Sequence, residues 1–112
     1  MAGFNVQAVM ERTGIAAYNS TYRRGDDEQI PEEYLVYSQT DSPDDYWDDE
    51  YHGVRHLVTV HLCSRGNPMD MAGRVCTEMA KDGLWLVSSQ DAYDEDADMY
   101  IKVLQFLGRE DA

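Results

Sequence analysis

Basic residues are scarce in this chain of 112 residues, which has 9 lysines and arginines against 22 aspartates and glutamates and a formal net charge of −13. It therefore lacks the basic stripe that neutralises nucleic-acid phosphates, and its charge repels them at long range. Apolar runs of the roughly 20 residues needed to cross a bilayer are also missing. The first residues show no basic start followed by an apolar segment. We expect a soluble, intracellular protein that binds neither nucleic acid nor membrane.

Cysteine is rare too, with only Cys63 and Cys76 and no Cys-x-x-Cys pair. In that number and spacing, cysteines in a cytosolic protein are usually reduced thiols, so we expect no disulfide framework. His56 and His61 are separated by an odd number of positions, which places them on opposite faces of a strand and argues against a shared zinc ion.

Two acidic loops resemble calcium loops only superficially. A calcium loop needs acids at alternating positions and a glycine at the sixth position. Pro43 occupies the third position of a loop that starts at Asp41, and Met99 occupies the sixth position of one that starts at Asp94. We therefore predict no metal site and no cofactor.

Motifs for catalysis are missing as well. The sequence has no Gly-x-Ser-x-Gly, no phosphate loop and no Gly-x-Gly-x-x-Gly. His61 and Cys63 share a strand face, but same-face neighbours lie roughly 7 Å apart, too far for a direct bond. Paired carboxylates for glycoside hydrolysis need a walled cleft, which acids in turn-like loops do not supply. We predict that the protein is not an enzyme.

Hydrophobic periodicity predicts a single α+β domain over residues 1–112. Its sheet is expected to be mostly antiparallel, with one main helix packed on a face, a short N-terminal helix and a projecting acidic hairpin. The predicted elements are, in order, a helix capped by Asn5 and ended by Gly14, a strand within residues 16–24, strands over Tyr34–Thr40 and Arg55–Ser64, a helix over Asn67–Asp82, and strands over 84–90 and 99–108.

The main helix has the clearest end signals. Asn67 suits the N-cap, Pro68 the first helical position, and Gly83 the stop. Gly73 inside the helix is expected to allow close approach to the sheet. The predicted apolar stripe consists of Ala72, Val75, Cys76, Met79 and Ala80.

Six acids and two aromatic residues fall within Asp41–Glu50. Because predicted strands flank this stretch, we expect a long hairpin over Asp41–Gly53 in which Tyr46, Trp47 and Tyr51 pack across the ladder and the acids face water. Pro43 should mark a bend or an edge position. A passive loop remains the alternative.

Aromatic residues are over-represented among interface hot spots, so the hairpin is also the candidate contact surface. The candidate interface residues are Tyr46, Trp47, Tyr51, Asp44, Asp45, Asp48, Asp49, Arg55, Arg23 and Arg24.

Residues 30–62, "IPEEYLVYSQTDSPDDYWDDEYHGVRHLVTVHL", and residues 89–106, "SQDAYDEDADMYIKVLQF", carry a resemblance. With the helices between and before them, they resemble the small neck and tail-completion proteins of long-tailed bacteriophages and prophages. The likeness spans about residues 4–107 and rests on the order and texture of the elements rather than on any diagnostic residue.

The resemblance implies a structural protein of the virion, made in the host cytoplasm, that forms a ring at the tail end or neck. Such rings are often six-fold, so we expect a hexameric ring from a chain that is a monomer when dilute. Its expected partners are the tail-tube protein and the head-connector proteins, and DNA would pass through without specific binding. The alternative function from the acid excess is a DNA mimic or inhibitor that binds a basic partner.

Overall fold

The computed structural model describes residues 5–19, 32–43, 46–47, 50–51, 53–96 and 98–111. They form two helices and a five-stranded, mostly antiparallel sheet with a small two-stranded ladder, which confirms the α+β prediction. The elements are α1 (Val6–Arg12), β1 (Ala17–Asn19), β2 (Glu33–Pro43), β3 (Tyr46–Trp47), β4 (Glu50–Tyr51), β5 (Gly53–Ser64), α2 (Met69–Lys81), β6 (Trp85–Asp94) and β7 (Met99–Asp111).

The strand order in the main sheet is β1-β2-β5-β7-β6. As predicted for the segment Arg55–Ser64, β5 is central, and it pairs antiparallel with both β2 and β7. β1 pairs parallel to β2 through three residues, from Ala17 with Leu35 to Asn19 with Tyr37. The predicted first strand continued to residue 24, but residues 20–24 lie outside the described part of the chain.

Both helices pack on one face of this sheet. Alternation along β5 sends four side chains to that face, where all four are buried: His56, Val58, Val60 and Leu62. They meet inward-facing residues of the neighbouring strands and the apolar side of the helices in one core. At about 25 cal/mol per Å² of apolar surface removed from water, this core dominates the stabilisation of the fold.

The helix α1 begins as the sequence predicts. Asn5 caps it, because its side-chain oxygen accepts a hydrogen bond from the Ala8 N–H at 3.3 Å. Gly14 follows the helix at φ +74°, a conformation that glycine adopts without steric cost. Arg12 joins α1 to α2 through Glu78 at 2.9 Å and Asp82 at 3.4 Å.

The predicted stop of α2 at Gly83 is confirmed, with a φ of +84° just after the C-cap Asp82, but the predicted start and apolar stripe need correction. Pro68, not Asn67, is the N-cap, and the Asn67 side chain instead accepts from the Met69 N–H at 3.0 Å, so the helix begins later than expected. An asparagine bonded to the backbone two residues ahead forms a turn of its own, which competes with capping. Met71 is buried in place of Ala80, which is exposed, because the helix presents a slightly rotated face to the sheet.

Gly73 does not serve close packing as predicted. It lies on the exposed side of α2, and a Cβ atom there would meet no atom of another residue within 4 Å. The glycine that does allow a close approach is Gly108 on β7, where an added Cβ would lie 2.6 Å from the Leu84 Cγ.

β6 and β7 form a hairpin around the acidic turn that the sequence predicts. Asp94 accepts from the Asp96 N–H at 3.0 Å, Tyr93 donates its hydroxyl to Asp98, and Asp98 has a φ of +54°. The β6 register shifts between Leu86 and Ser88, which indicates a bulge at the start of the strand.

Cys63 and Cys76 are free thiols, as expected. Burial raises the pKa of the Cys63 thiol, a hydrogen bond with Tyr34 opposes that shift, and nearby Asp94 reinforces it. Burial also raises the pKa of Cys76, against a smaller opposing effect of Lys102. Because thiolate is the reactive form, both side chains are poor nucleophiles at neutral pH.

Candidate interaction surface

β2 pairs antiparallel with β5, and β3 pairs antiparallel with β4. In both ladders the residue numbers of each pair add up to 97, from Glu33 with Ser64 to Trp47 with Glu50. The register therefore does not slip between the main sheet and the small ladder.

The outer part of the predicted hairpin projects beyond the five-stranded sheet. β7 pairs with β5 as far as Gly53, opposite Asp111, whereas within the described part of the chain β3 and β4 pair with each other and with no other strand. Pro43 ends β2 opposite Val54, where its missing N–H donor interrupts the ladder at least cost. The described backbone thus contains the base of the predicted hairpin and two residue pairs of its outer part, whereas its turn lies outside the described residues.

The predicted interface residues are distributed unevenly over the described structure. The backbone places Tyr46 opposite Tyr51 and Trp47 opposite Glu50 in the projecting ladder. Packing of these aromatic side chains across the ladder stays a prediction. The remaining predicted residues of the hairpin and of the segment before it lie outside the described residues: Asp44, Asp45, Asp48, Asp49, Arg23 and Arg24.

Arg55 lies at the base of the projection. It is exposed on β5, opposite Ser42 of β2 and opposite Arg109 of β7. Directly opposed like charges disfavour a ladder, so this pair of cations is suited to acidic neighbours. The arrangement places positive charge beside the start of the acidic hairpin.

On the helix-covered face, a polar cluster of Gln39, Asp41 and His56 links β2 to β5. The His56 ring nitrogen Nδ1 lies 2.7 Å from Asp41 Oδ1, and Gln39 donates its amide N–H to the same oxygen at 2.8 Å. Because an ionised carboxylate only accepts, the His56 Nδ1–H is the donor in this pair. His56 is buried, so the cluster satisfies a polar ring that would otherwise be costly inside the sheet.

The cluster also determines the charge of Asp41. Partial burial raises the pKa of Asp41, but the hydrogen bonds from His56 and Gln39 outweigh this and hold it below its ordinary value. The sequence predicts only that His56 and His61 lie on opposite faces of a strand, because the pairing of His56 with Asp41 depends on the register between β2 and β5.

The other face of the sheet has no helix on it among the described residues. Its side chains run in rows across four strands, and the middle row is polar: Ser38, Thr59, Gln105 and Ser88. The row towards the hairpin is largely apolar and consists of Thr40, Leu57, Leu107 and Trp85. An antiparallel sheet with one open, mixed face of this kind is compatible with water and with a partner.

A groove of about 550 Å³ lies between the end of α1 and the exposed side of α2, lined by Arg12, Gly73 and Glu78 among others. Two of its charged groups, Arg12 and Glu78, pair with each other across the two helices at 2.9 Å. In the described residues, no three His, Cys, Asp or Glu side chains are grouped closely enough to hold a metal ion. No described helix is both long and apolar enough to cross a membrane.

No protein-family model and no curated protein matches the chain. Among solved structures, it is similar to a chain of the structure titled "Virion of native gene transfer agent (GTA) particle", with a TM-score of 0.55 and 16% sequence identity. The match covers 93% of this chain and 84% of that chain. At such low identity the similarity shows a shared fold, and a shared fold alone does not determine function.

Proposed function

We propose that this chain is a structural protein of a phage-like virion, which forms a ring at the tail end or neck, ends the tail tube and joins the tail to the head. The observation that carries the proposal is the fold similarity to a chain of a virion particle over 93% of this chain. The sequence resemblance to neck and tail-completion proteins points in the same direction. In this role the protein needs no catalysis and no cofactor.

The projecting hairpin supports a ring. Ring subunits contact each other head to tail, so each must present two different surfaces. The ladder of β3 and β4 reaches beyond the main sheet and brings Tyr46, Trp47 and Tyr51 with it, while the sheet body offers a different surface to the next subunit. Large aromatic residues are the side chains most suited to anchor such a contact.

Electrostatics place a condition on the ring. Each subunit carries a formal charge of −13, so neighbouring subunits repel unless cations lie in the joint. Arg55, Arg65 and Arg74 are exposed in the described structure, and we propose that cations of this kind lie in the joint. At physiological ionic strength, charges more than about 8 Å apart are largely screened. We therefore expect ring assembly to be favoured by moderate salt, and an acidic channel that lets DNA slide through.

The test uses the two tryptophans of the chain, one in the hairpin and one on the sheet edge. We expect Trp47→Ala to keep the far-UV circular dichroism and unfolding midpoint of the parent protein but to lose rings in sedimentation velocity and to fail to join tails to heads. Trp85→Ala is the matched control, because it removes an exposed tryptophan from β6 and should leave rings intact. Rings and infectious particles from Trp47→Ala would refute the role of the hairpin.

The acid excess also favours a second function, a DNA mimic that inhibits a basic protein. Such a protein would remain a monomer or dimer and would bind a basic nuclease or repressor with an affinity that collapses as salt is added. The ring protein would instead self-associate at high concentration or in the presence of tail-tube protein. Sedimentation velocity over a range of salt concentrations, with and without the basic partner, separates the two functions.

A further inference from the structure

Large exposed apolar side chains of the described residues concentrate along one edge of the sheet. Each is between 43% and 60% exposed, and they form two groups, one at each end of β6: Trp85, Leu86 and Val87 at its start, and Tyr93 and Tyr100 at its end, with Met69 of α2 lining the same groove as Tyr100. Scattered apolar residues on a surface need no explanation, but a cluster of them marks a site of protein interaction.

The strand under this cluster is an edge strand. β6 is last in the strand order and pairs only with β7 among the described residues, so alternate N–H and C=O groups point away from the sheet. Proteins protect such edges with proline, bulges or charged side chains, lysine above all. Trp85–Asp94 contains neither proline nor lysine, and its one bulge lies at Val87. The charges on the regular stretch from Ser88 to Asp94 are Asp91 and Asp94, which disfavour an acidic strand but not a basic one.

Two adjoining grooves of about 210 and 350 Å³ lie at the far end of this edge. They share Asn67, Pro68 and Tyr100, and the Tyr100 ring packs against Tyr93 with 5.0 Å between the ring centres. The smaller groove is below the usual size of a small-molecule pocket but large enough for one side chain of an extended segment.

The charges along this edge indicate which kind of segment could bind there. Residues 85–98 contain five acids, Asp91, Asp94, Glu95, Asp96 and Asp98, and no lysine or arginine. Lys102 on the neighbouring strand β7 forms an ion pair with Asp91 at 2.9 Å. Two copies that paired through β6 would bring two such acidic sets together, whereas a basic segment would complement them.

We propose that β6 is a docking edge for an extended, basic segment of a different protein, which adds to the sheet as a sixth strand. Its backbone bonds to the outer side of β6, its alternate apolar side chains contact the exposed cluster, and a lysine or arginine at its end meets the acidic turn. This surface is separate from the acidic aromatic hairpin, so the inference extends beyond the ring and does not depend on it.

The first experiment titrates the full chain with a fluorescein-labelled synthetic peptide that alternates valine and threonine between paired lysines. We expect saturable binding by fluorescence anisotropy, with amide shifts in NMR spectra confined to β6, β7 and the start of α2. A matched peptide with glutamates in place of the lysines should bind at least about tenfold more weakly, a difference of about 1.4 kcal/mol. A lysine peptide methylated on alternate backbone nitrogens should also lose binding, because strand addition needs those N–H groups.

Two variants of the protein make the test specific. Gln90→Lys adds a cation at an exposed position of β6, and Thr40→Lys makes the same change at an exposed position of β2, near the opposite edge. Gln90→Lys should weaken binding of the lysine peptide and strengthen binding of the glutamate peptide, whereas Thr40→Lys should change the affinity for neither peptide.

Absence of binding, shifts that map elsewhere, or equal binding of the methylated peptide would overturn the proposal. A dimer that forms through β6 and is not dissociated by the lysine peptide would also overturn the proposal, because the edge would then bind a second copy of this chain. Ring formation, followed by sedimentation in the same samples, reports separately on the proposed function.

Discussion

Replacing Gly73 by alanine should stabilise the protein, and the structure fixes the sign of the effect. In a helix interior, glycine is about 1 kcal/mol less favourable than alanine. The new methyl group would meet no atom of another residue within 4 Å, so no steric cost offsets this gain. We therefore expect Gly73→Ala to raise the free energy of unfolding by about 1 kcal/mol, or the melting temperature by about 4 °C for a domain of this size.

Urea unfolding at neutral pH measures this difference, provided that the slope with denaturant stays unchanged. Gly83→Ala is the matched control just beyond the same helix. Gly83 has a φ of +84°, where a side chain costs roughly 1 kcal/mol or more, so this variant should be less stable than the parent. A neutral or destabilising Gly73→Ala would refute the placement of that residue on the open side of α2.

Two further changes test the base of the hairpin and the packing of its neighbour strand. Gly108→Ala should destabilise the fold by about 1–3 kcal/mol, because its methyl group would press against Leu84, and the cost should shrink in a Leu84→Ala background. The pKa of the Asp41 carboxyl is lower in the folded protein than its ordinary value of about 3.8, so the ionised group stabilises the fold at pH values above about 3.8. That contribution is lost as the pH falls through the lower, folded-state pKa. Asp41→Asn should therefore destabilise most at neutral pH, and its difference from the parent should narrow below about pH 4; a difference that stays constant would contradict the pairing with His56.

The local elements could be predicted from the sequence because their signals are local. The alternation of Arg55–Ser64 predicts a central strand, and Asn5 and Gly14 predict both ends of the first helix. The flanking strands also predict the long hairpin. These features depend on neighbours within a few residues or on one short connection.

Features that depend on distant parts of the chain could not be predicted. The choice of Met71 over Ala80 as a buried residue follows from the rotation of α2 against the sheet, which the helix pattern does not encode. The apolar run Trp85–Val87 looks like a buried strand, yet it lies at a sheet edge because of the strand order. The pairing of Asp41 with His56 requires the exact register of the hairpin, and a shift by one residue would reverse both faces.

The candidate site divides in the same way. Sequence composition points to the acidic aromatic hairpin, and the backbone gives it a projecting ladder with Tyr46 opposite Tyr51. Composition does not point to the β6 edge, because its residues are unremarkable until the sheet is assembled. The two proposals thus assign two surfaces to one chain, the acidic aromatic hairpin and the β6 edge, as expected of a protein that joins several partners.

Electron microscopy of the concentrated protein, alone and with tail-tube protein, tests the ring most directly. The account predicts closed rings of uniform subunit number that grow more abundant in moderate salt and that sit at the ends of tubes. Particles no larger than a dimer at every concentration, with tube ends left bare, would contradict it.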